Sequence, residues 1–397
     1  MTEAHHNIDV AVIGAGVVGS AVAWDLSTVY DGLDIFVFER NPGVTEGENQ
    51  STRNSGVIHS GLYYDMQTRP NKARLCVKGN EYLYYFCSRY HVPAIKTGKI
   101  IVATNEEEDS VLGTYLNRAE ENGVRGVRYL TRSEIRAMEP NVRAKSGLFV
   151  PSAGIVDPPT LVYRLYTLAG NHGVEFLTNT TVLDLKSDNG RVVLTIEYRD
   201  GTTQDISARL IINAAGIDAD RLAKKLNPDL GLELDPVRGE SYKFYAHKRP
   251  ELRLTGMNIY PTPERVESRF ANHFTVGIHL TPTFDDLNYP GRLGDTILVG
   301  PKLVPVPDRD NWMQGVTPAK VFYQKVVTYF PGLREKDLVF HQMGLQARLK
   351  GDQDFVLLPD LDNGPAIHLL GIDSPGLTSC LAIAREVTSI VKKNHLI

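Results

Sequence analysis

The chain has 397 residues, enough for two or three domains or one large two-part enzyme with a full apolar core. Hydrophobic residues make up 42% and charged residues 23%, which excludes a disordered or fibrous chain. Lys and Arg number 43 against 47 Asp and Glu, a net charge of −4 with no long block of either sign, so no nucleic-acid partner is expected.

The first nine residues carry Glu3, His5, His6 and Asp9 and no basic run, so a secretory signal is not expected and the default location is cytoplasmic or organelle-lumenal. Val10 to Trp24 is uncharged but too short to span a bilayer. It reads as a strand, a turn and a helix: Asp9 to Ile13 is a buried strand, Ser20 to Leu26 has helical composition, and Ile35 to Phe38 is a second buried strand. Together they form a βαβ unit.

The turn of that unit reads Gly14-Ala-Gly16-Val-Val-Gly19, and Glu39 ends the second strand. Gly14 permits the tight turn, Gly16 lets backbone N–H groups approach a pyrophosphate, Gly19 lets helix and strand pack closely, and Glu39 can accept ribose hydroxyls. An acid at position 39 disfavours a 2′-phosphate. The fingerprint alone leaves NAD and FAD open. The next segment, Gln50 to Tyr64, is a polar loop punctuated by glycine, with hydroxyls, an amide, a cation and an imidazole. Such an insertion suits the diphosphate, ribityl chain and ring edge of a flavin, which favours FAD over NAD.

Farther along, Glu81 to Tyr90 places Tyr82, Tyr85, Phe86 and Tyr90 on one helical face, expected to be core. The acidic run Glu106 to Asp109 reads as a solvated helix start or loop. Pro159-Thr160, followed by Leu161, Leu165, Tyr166 and Ala169, reads as a helix with Pro in its first turn. Lys99 to Thr104, Arg191 to Tyr198, Ser241 to Ala246 and His273 to Leu280 suggest antiparallel sheet. Leu210 to Gly216 is an apolar strand ending in small residues. Leu370 to Thr378 leads into a C-terminal helix with Leu381, Ala384, Val387 and Val391 on one face, whose N-terminus could face the pyrimidine edge of a flavin. Cys76, Cys87 and Cys380 lack metal or disulfide spacing and are expected as buried thiols, with no metal site.

These motifs resemble the FAD-dependent amino-acid-oxidase-like superfamily and, within it, the L-2-hydroxyglutarate dehydrogenase/oxidase family. The resemblance spans nearly the whole chain. It rests on Asn54 to Tyr64, Lys72 to Cys76, Gly154 to Asp157, Asn213 to Gly216, Val237 to Glu240 and Gly371 to Ala384. It implies an α/β plus α+β chain: a Rossmann-type FAD-binding domain with an interleaved antiparallel-sheet substrate domain. The expected bounds are 1–85, 150–235 and 340–397 for the FAD domain, and 86–149 and 236–339 for the substrate domain. Expected cofactor contacts are Gly14, Gly16, Gly19, Glu39, Arg40, Arg53, Asn54, Ser55, Val182, Gly216, Gly371, Gly376, Leu377 and Thr378.

The resemblance also implies oxidation of a 2-hydroxy acid to the 2-keto acid, with electrons leaving to a quinone, an electron-transfer protein or oxygen. Contact with a membrane surface would accompany a quinone acceptor. Family members commonly carry Tyr-Tyr after Arg-Gly-Glu, whereas this chain has Ser241-Tyr242, which puts substrate length in doubt. Glycerol 3-phosphate or an amino acid on the same scaffold, and an NAD-linked dehydrogenase, are the competing readings.

Alcohol oxidation needs a base, a hydride acceptor and cations for the carboxylate. His59 is the first choice for the base, with a purely flavin-binding role as its alternative; His279 and His341 follow. Arg238, Tyr242, Lys302 and Arg348 are the candidate anion contacts, and Tyr63 or Tyr64 could line the pocket.

Overall fold

A computed structural model describes residues 6–267, 272–284, 292–351 and 353–397. The chain forms two compact units, one built from residues 1–52, 158–235 and 346–397 and the other from 53–157 and 236–345.

The first unit is organised by strand His6–Ile13, which pairs in parallel with Ile35–Phe38 on one side and Thr203–Asn213 on the other. Glu175–Leu177 extends this sheet in parallel beyond Ile35–Phe38, and Ala366–Leu370 pairs in parallel with the end of Thr203–Asn213. Thr180–Asp188 and Arg191–Tyr198 continue it as an antiparallel meander, and Val356–Asp360 completes it antiparallel to Ala366–Leu370. The parallel strands are near-continuous apolar runs because both sheet faces are covered. Helix Val17–Val29 packs against Pro158–Asn171 and Gly376–Lys393, and Thr388 donates to Asp25 Oδ2 at 2.6 Å across the latter contact. Leu381, Ala384, Val387 and Val391 are all buried, as the periodicity of the last helix requires.

The second unit is built on an eight-stranded mixed sheet. Its order is Val339–Gln346, Val237–Tyr245, Thr296–Pro305, His279–Pro282, Asn258–Pro261, Lys99–Ala103, Ser146–Val150 and Arg128–Thr131. Asn258–Pro261 runs parallel to Lys99–Ala103, so the sheet is not wholly antiparallel. The stretch read as one strand from His273 to Leu280 is two, Asn272–Thr275 and His279–Pro282. Residues 53–85 and 150–157, read from sequence with the cofactor domain, cluster with this unit. The cause is local pairing: Gly154–Val156 pairs with both Val57–Ile58 and Ala94–Ile95, and Asn80 donates to the carbonyls of His59 and Ser152.

Helix Pro70–Tyr90 is longer than its aromatic stripe suggested. Leu83, Phe86 and Cys87 form its buried face, whereas Tyr85 is 71% exposed. One helical step of 100° separates neighbours, so Tyr85 beside buried Phe86 turns outward. The acidic run opens helix Glu106–Glu121: Asn105 accepts from Glu108 N at 2.9 Å, and four acids in the first turn complement the helix dipole. All three cysteines are buried free thiols.

Among the glycines of the first unit, Gly19 has the least room for a side chain. A Cβ on Gly19 would overlap the Gly14 carbonyl oxygen, which is backbone and cannot rotate away. Gly19→Ala should therefore cost about 1–3 kcal/mol of stability by overpacking, read as a lower midpoint in urea unfolding.

Candidate active site

Within the first unit, Gly14 adopts φ +99°, and a Cβ there would stand 2.6 Å from the Ala214 carbonyl oxygen. Only glycine meets both demands. Gly16 lies against Ser51, whose Oγ accepts from Val17 N at 2.9 Å. Helix Val17–Val29 has no acid in its first turn and no side-chain cap, so its positive end suits an anion. Glu39 is buried: Oε2 accepts from Ala15 N at 2.9 Å, and Oε1 accepts from Asn41 N and Nδ2 at 2.9 and 2.7 Å. These bonds fix the carboxylate and leave a lone pair on Oε2. Arg40 pairs with Asp218 at 2.7 Å.

Three more stretches of this unit carry expected cofactor contacts. Val182 sits where the ladder between Thr180–Asp188 and Arg191–Tyr198 shifts register. Gly216 has φ +58°, with open space where its Cβ would be. It follows Asn213, which donates to Ala219 O at 2.8 Å and accepts from Ala215 N at 3.3 Å. Gly371 has φ +68° and packs on Leu349. Gly376, Leu377 and Thr378 open helix Gly376–Lys393, which again has neither an acid in its first turn nor a side-chain cap. In the same turn Ser379 Oγ is buried without a hydrogen-bond partner among the described residues.

In the second unit, two-residue alternation sorts the chemistry by sheet face. Ile100, Ile259, Leu280, Val299 and Tyr242 belong to the core on one face. Lys99, Tyr260, His279 and Thr281 have the opposite parity and come together on the other. Lys99 Nζ lies 4.4 Å from the ring centroids of both Tyr63 and Tyr260. Tyr260 stacks on His279 at 3.9 Å and 9°, and His279 Nδ1 is 3.0 Å from Thr281 Oγ1. Lys99, Tyr260 and His279 are all at most 3% exposed.

His59 joins this group electrostatically. It is half-buried, with Nδ1 shielded from solvent. Burial, reinforced by Lys99, pushes its imidazole down to about 3. His279 is lowered by burial and then by His59 and Lys99. Burial brings Lys99 itself down to about 7, and the hydroxyls of Tyr63 and Tyr260 are raised by burial. At neutral pH both imidazoles are therefore uncharged, as a proton acceptor must be. His59 and His279 were expected from sequence; Lys99 and Tyr260 were not. Their only signal is strand parity, which becomes readable once register is known.

The other expected residues do not converge here. Arg238 pairs with Glu240 at 2.5 Å and donates to the carbonyls of Trp312 and Gln314 at 2.7 and 2.6 Å. Glu240 also accepts from Thr317 N, and Tyr242 donates to Thr317 O at 2.9 Å. Arg238 and Tyr242 thus fasten residues 312–317, and Tyr242 belongs to the opposite sheet face from His279. This argues against their expected role as anion contacts: side chains already committed to buried backbone are poor substrate contacts. His341 lies half-buried near Lys243, with its imidazole lowered by burial. Lys302 is half-buried opposite Glu240. Tyr64 packs with Ala73 and Cys76. Arg53, Asn54 and Ser55 belong to the second unit, where Arg53 lies over the Trp312 ring at 5.7 Å and Asn54 O accepts from Gln342 at 3.1 Å. Arg348 is in the first unit, 3.4 Å from Asp373.

The family model for FAD dependent oxidoreductases, DAO, matches residues 9–390. The chain belongs to this family. Like other FAD dependent oxidoreductases it uses FAD as its cofactor, which sets aside the NAD-linked reading. The chain is 31% identical to the mitochondrial L-2-hydroxyglutarate dehydrogenase of Arabidopsis thaliana, over 98% of this chain and 84% of the relative. It is 28% identical to the L-2-hydroxyglutarate dehydrogenase of Escherichia coli, over 97% and 93%. Among solved structures it is similar to the FAD-bound L-alpha-glycerophosphate oxidase of Mycoplasma pneumoniae, with a TM-score of 0.84 and 25% identity over 98% and 95% of the two chains. The first unit of this oxidoreductase fits FAD: Gly14 and Gly19 admit no Cβ, Glu39 is fixed with a lone pair free on Oε2, and two helix N-termini lack internal anions. Among the described residues no helix is long and apolar enough to cross a membrane.

The Arg238–Glu240 pair makes a prediction about stability. Arg238→Ala would leave Glu240, which is 0% exposed, as an uncompensated buried charge. A loss of about 3–5 kcal/mol is expected in urea unfolding, against a smaller loss for the double variant Arg238→Met, Glu240→Leu.

Proposed function

We propose that this flavoprotein oxidises L-2-hydroxyglutarate to 2-oxoglutarate and passes the electrons to a quinone, an electron-transfer protein or oxygen. The substrate reading is supported by relatives of that name that match nearly the full chain. The observation that carries the chemistry is the half-buried His59, whose imidazole stays neutral at working pH beside a buried cluster of proton-bearing side chains.

The reading gives each residue a role. Gly14, Gly16, Gly19 and the N-terminus of helix Val17–Val29 take the diphosphate, and Glu39 takes ribose hydroxyls, with Arg40 and Val182 on the adenosine side. In the first unit Gly216, Gly371, Gly376, Leu377 and Thr378 serve the ribityl chain and ring. FAD supplies the hydride acceptor. His59 takes the hydroxyl proton of the substrate. An imidazole that stays neutral down to about pH 3 cannot remove an alcohol proton alone, so the proton moves as the C–H bond breaks and the oxygen becomes acidic. With Arg238 committed to Glu240, the substrate carboxylates need other cations.

The likeness to a glycerophosphate oxidase makes glycerol 3-phosphate the second reading. Anaerobic mixing of the pure flavoprotein with a panel of hydroxy acids, glycerol 3-phosphate and amino acids separates the two. Bleaching of the flavin absorbance by L-2-hydroxyglutarate is expected, and bleaching by glycerol 3-phosphate alone would reject the substrate assignment. His59→Ala should keep its flavin and lose about 10²–10⁴-fold in kcat/KM, and unchanged turnover would remove His59 from the reaction.

A further inference from the structure

Lys99 is the first residue of a strand in the middle of the eight-stranded sheet, and its side chain is 0% exposed. Its Nζ makes neither a hydrogen bond nor an ion pair among the described residues. What surrounds it is aromatic and basic: the faces of Tyr63 and Tyr260, each at 4.4 Å, with His279 stacked behind Tyr260 at 3.9 Å. The charge of Lys99 disfavours a proton on His59 of the polar loop and eases ionisation of the Cys76 thiol on helix Pro70–Tyr90, which burial opposes. Tyr115 meets the Tyr63 ring edge-on at 5.7 Å. The hydroxyls of Tyr63 and Tyr260 also lack hydrogen-bond partners among the described residues.

A buried amine without a carboxylate has only the ring faces to offset its desolvation, and cation–π contacts do not replace an ion pair. We propose that Lys99 is a positioning residue that gates proton acceptance at His59. As a neutral amine it leaves room for a proton on the imidazole, and as an ammonium ion it opposes one. The inference rests on the reading of His59 as the proton acceptor. The atoms and electrons balance as in that reading: the O–H proton goes to His59, the C–H electron pair leaves as hydride to FAD, and the C=O bond forms. Lys99 exchanges its own proton with solvent between turnovers.

The geometry explains why lysine and not arginine occupies the position. Lysine loses its charge readily when buried, whereas arginine stays charged at any working pH. The amine, brought to about 7 by burial, changes charge in the range where the enzyme operates.

The test combines a pH profile with a stability profile. In the wild type, kcat/KM should rise about tenfold between pH 6 and pH 8, as expected for one group titrating near 7. In Lys99→Met, which keeps length and apolar packing, the rise should shrink to less than about twofold, because the remaining control lies with His59 at lower pH. Lys99→Arg should stay low throughout. A tenfold rise retained in Lys99→Met overturns the proposal.

Unfolding supplies a readout independent of turnover. The folded amine titrates near 7 and the unfolded one near its ordinary value, so the unfolded state binds more protons between them and stability rises with pH there. The burial penalty is therefore full below about pH 7 and relieved as pH climbs towards 10. Lys99→Met should be more stable than wild type at pH 6, with the Tm gap closing by pH 10. A gap independent of pH overturns the proposal even if the variant is inactive. Failure of the His59 reading appears separately, as normal turnover in His59→Ala.

Discussion

The close approach at Gly14, Gly19 and Ala214 is the constraint on which the first unit depends. Strand His6–Ile13 has parallel partners on both edges, so helix Val17–Val29 must leave it by a turn that clears the end of Thr203–Asn213. No side chain fits at either glycine. The same restriction exposes backbone N–H groups at the helix start, which is why a packing demand and an anion site coincide in one motif. Glu39 reinforces it from the neighbouring strand, bonding Ala15 N inside the turn and Asn41 just beyond the strand. Three separate stretches of chain are gathered around this sheet, and each of them brings glycine or a bare helix N-terminus.

The second unit uses a different rule. Its sheet is covered on both faces, and the two faces do different things. One holds Phe244, Phe322, Phe330 and Tyr242 and fastens residues 312–317 through Arg238 and Glu240. The other holds Lys99, Tyr260 and His279 among apolar neighbours that include Ile101, Leu62 and Tyr115. Such an environment raises hydroxyls and lowers imidazoles and amines together, because every charged form is disfavoured. Proton-bearing groups are thus kept neutral by one shared cause.

Much of the first unit was legible because its signals are local. The glycine spacing, the Ile35–Phe38 run and the stripe of the C-terminal helix each fall within one turn or one strand. The limits of the second unit were less legible, since residues 53–85 are drawn into it by long-range contacts, among them the pairing of Val57–Ile58 with a strand nearly a hundred residues away. The same distinction separates the site residues. His59 stands out as an imidazole in a polar loop, whereas Lys99 at the start of a strand reads as an ordinary sheet edge. Arg238 looked like a free cation beside a glycine, and only the fold brings Trp312, Gln314 and Glu240 to its guanidinium. Tyr85 shows the limit of helical periodicity: aromatic residues cluster on Pro70–Tyr90, yet its core face is set by Leu83 and Phe86.

A dianionic substrate and a proton acceptor place opposed demands on nearby charge. Carboxylates are bound best by fixed cations, but a fixed cation beside the acceptor opposes the proton it must take. A near-neutral chain cannot meet the first demand by its overall field, so it must use individual residues. The guanidinium of Arg238, which could have served, is committed to Glu240 and backbone. The cation that acts on His59 is instead a lysine between two tyrosine faces, with no anion to hold its charge among the described residues. Burial without a counter-ion is costly for stability, and it lets the charge vanish near neutral pH. The same arrangement with a carboxylate at Lys99 would be more stable and would keep the ammonium charged throughout the working range.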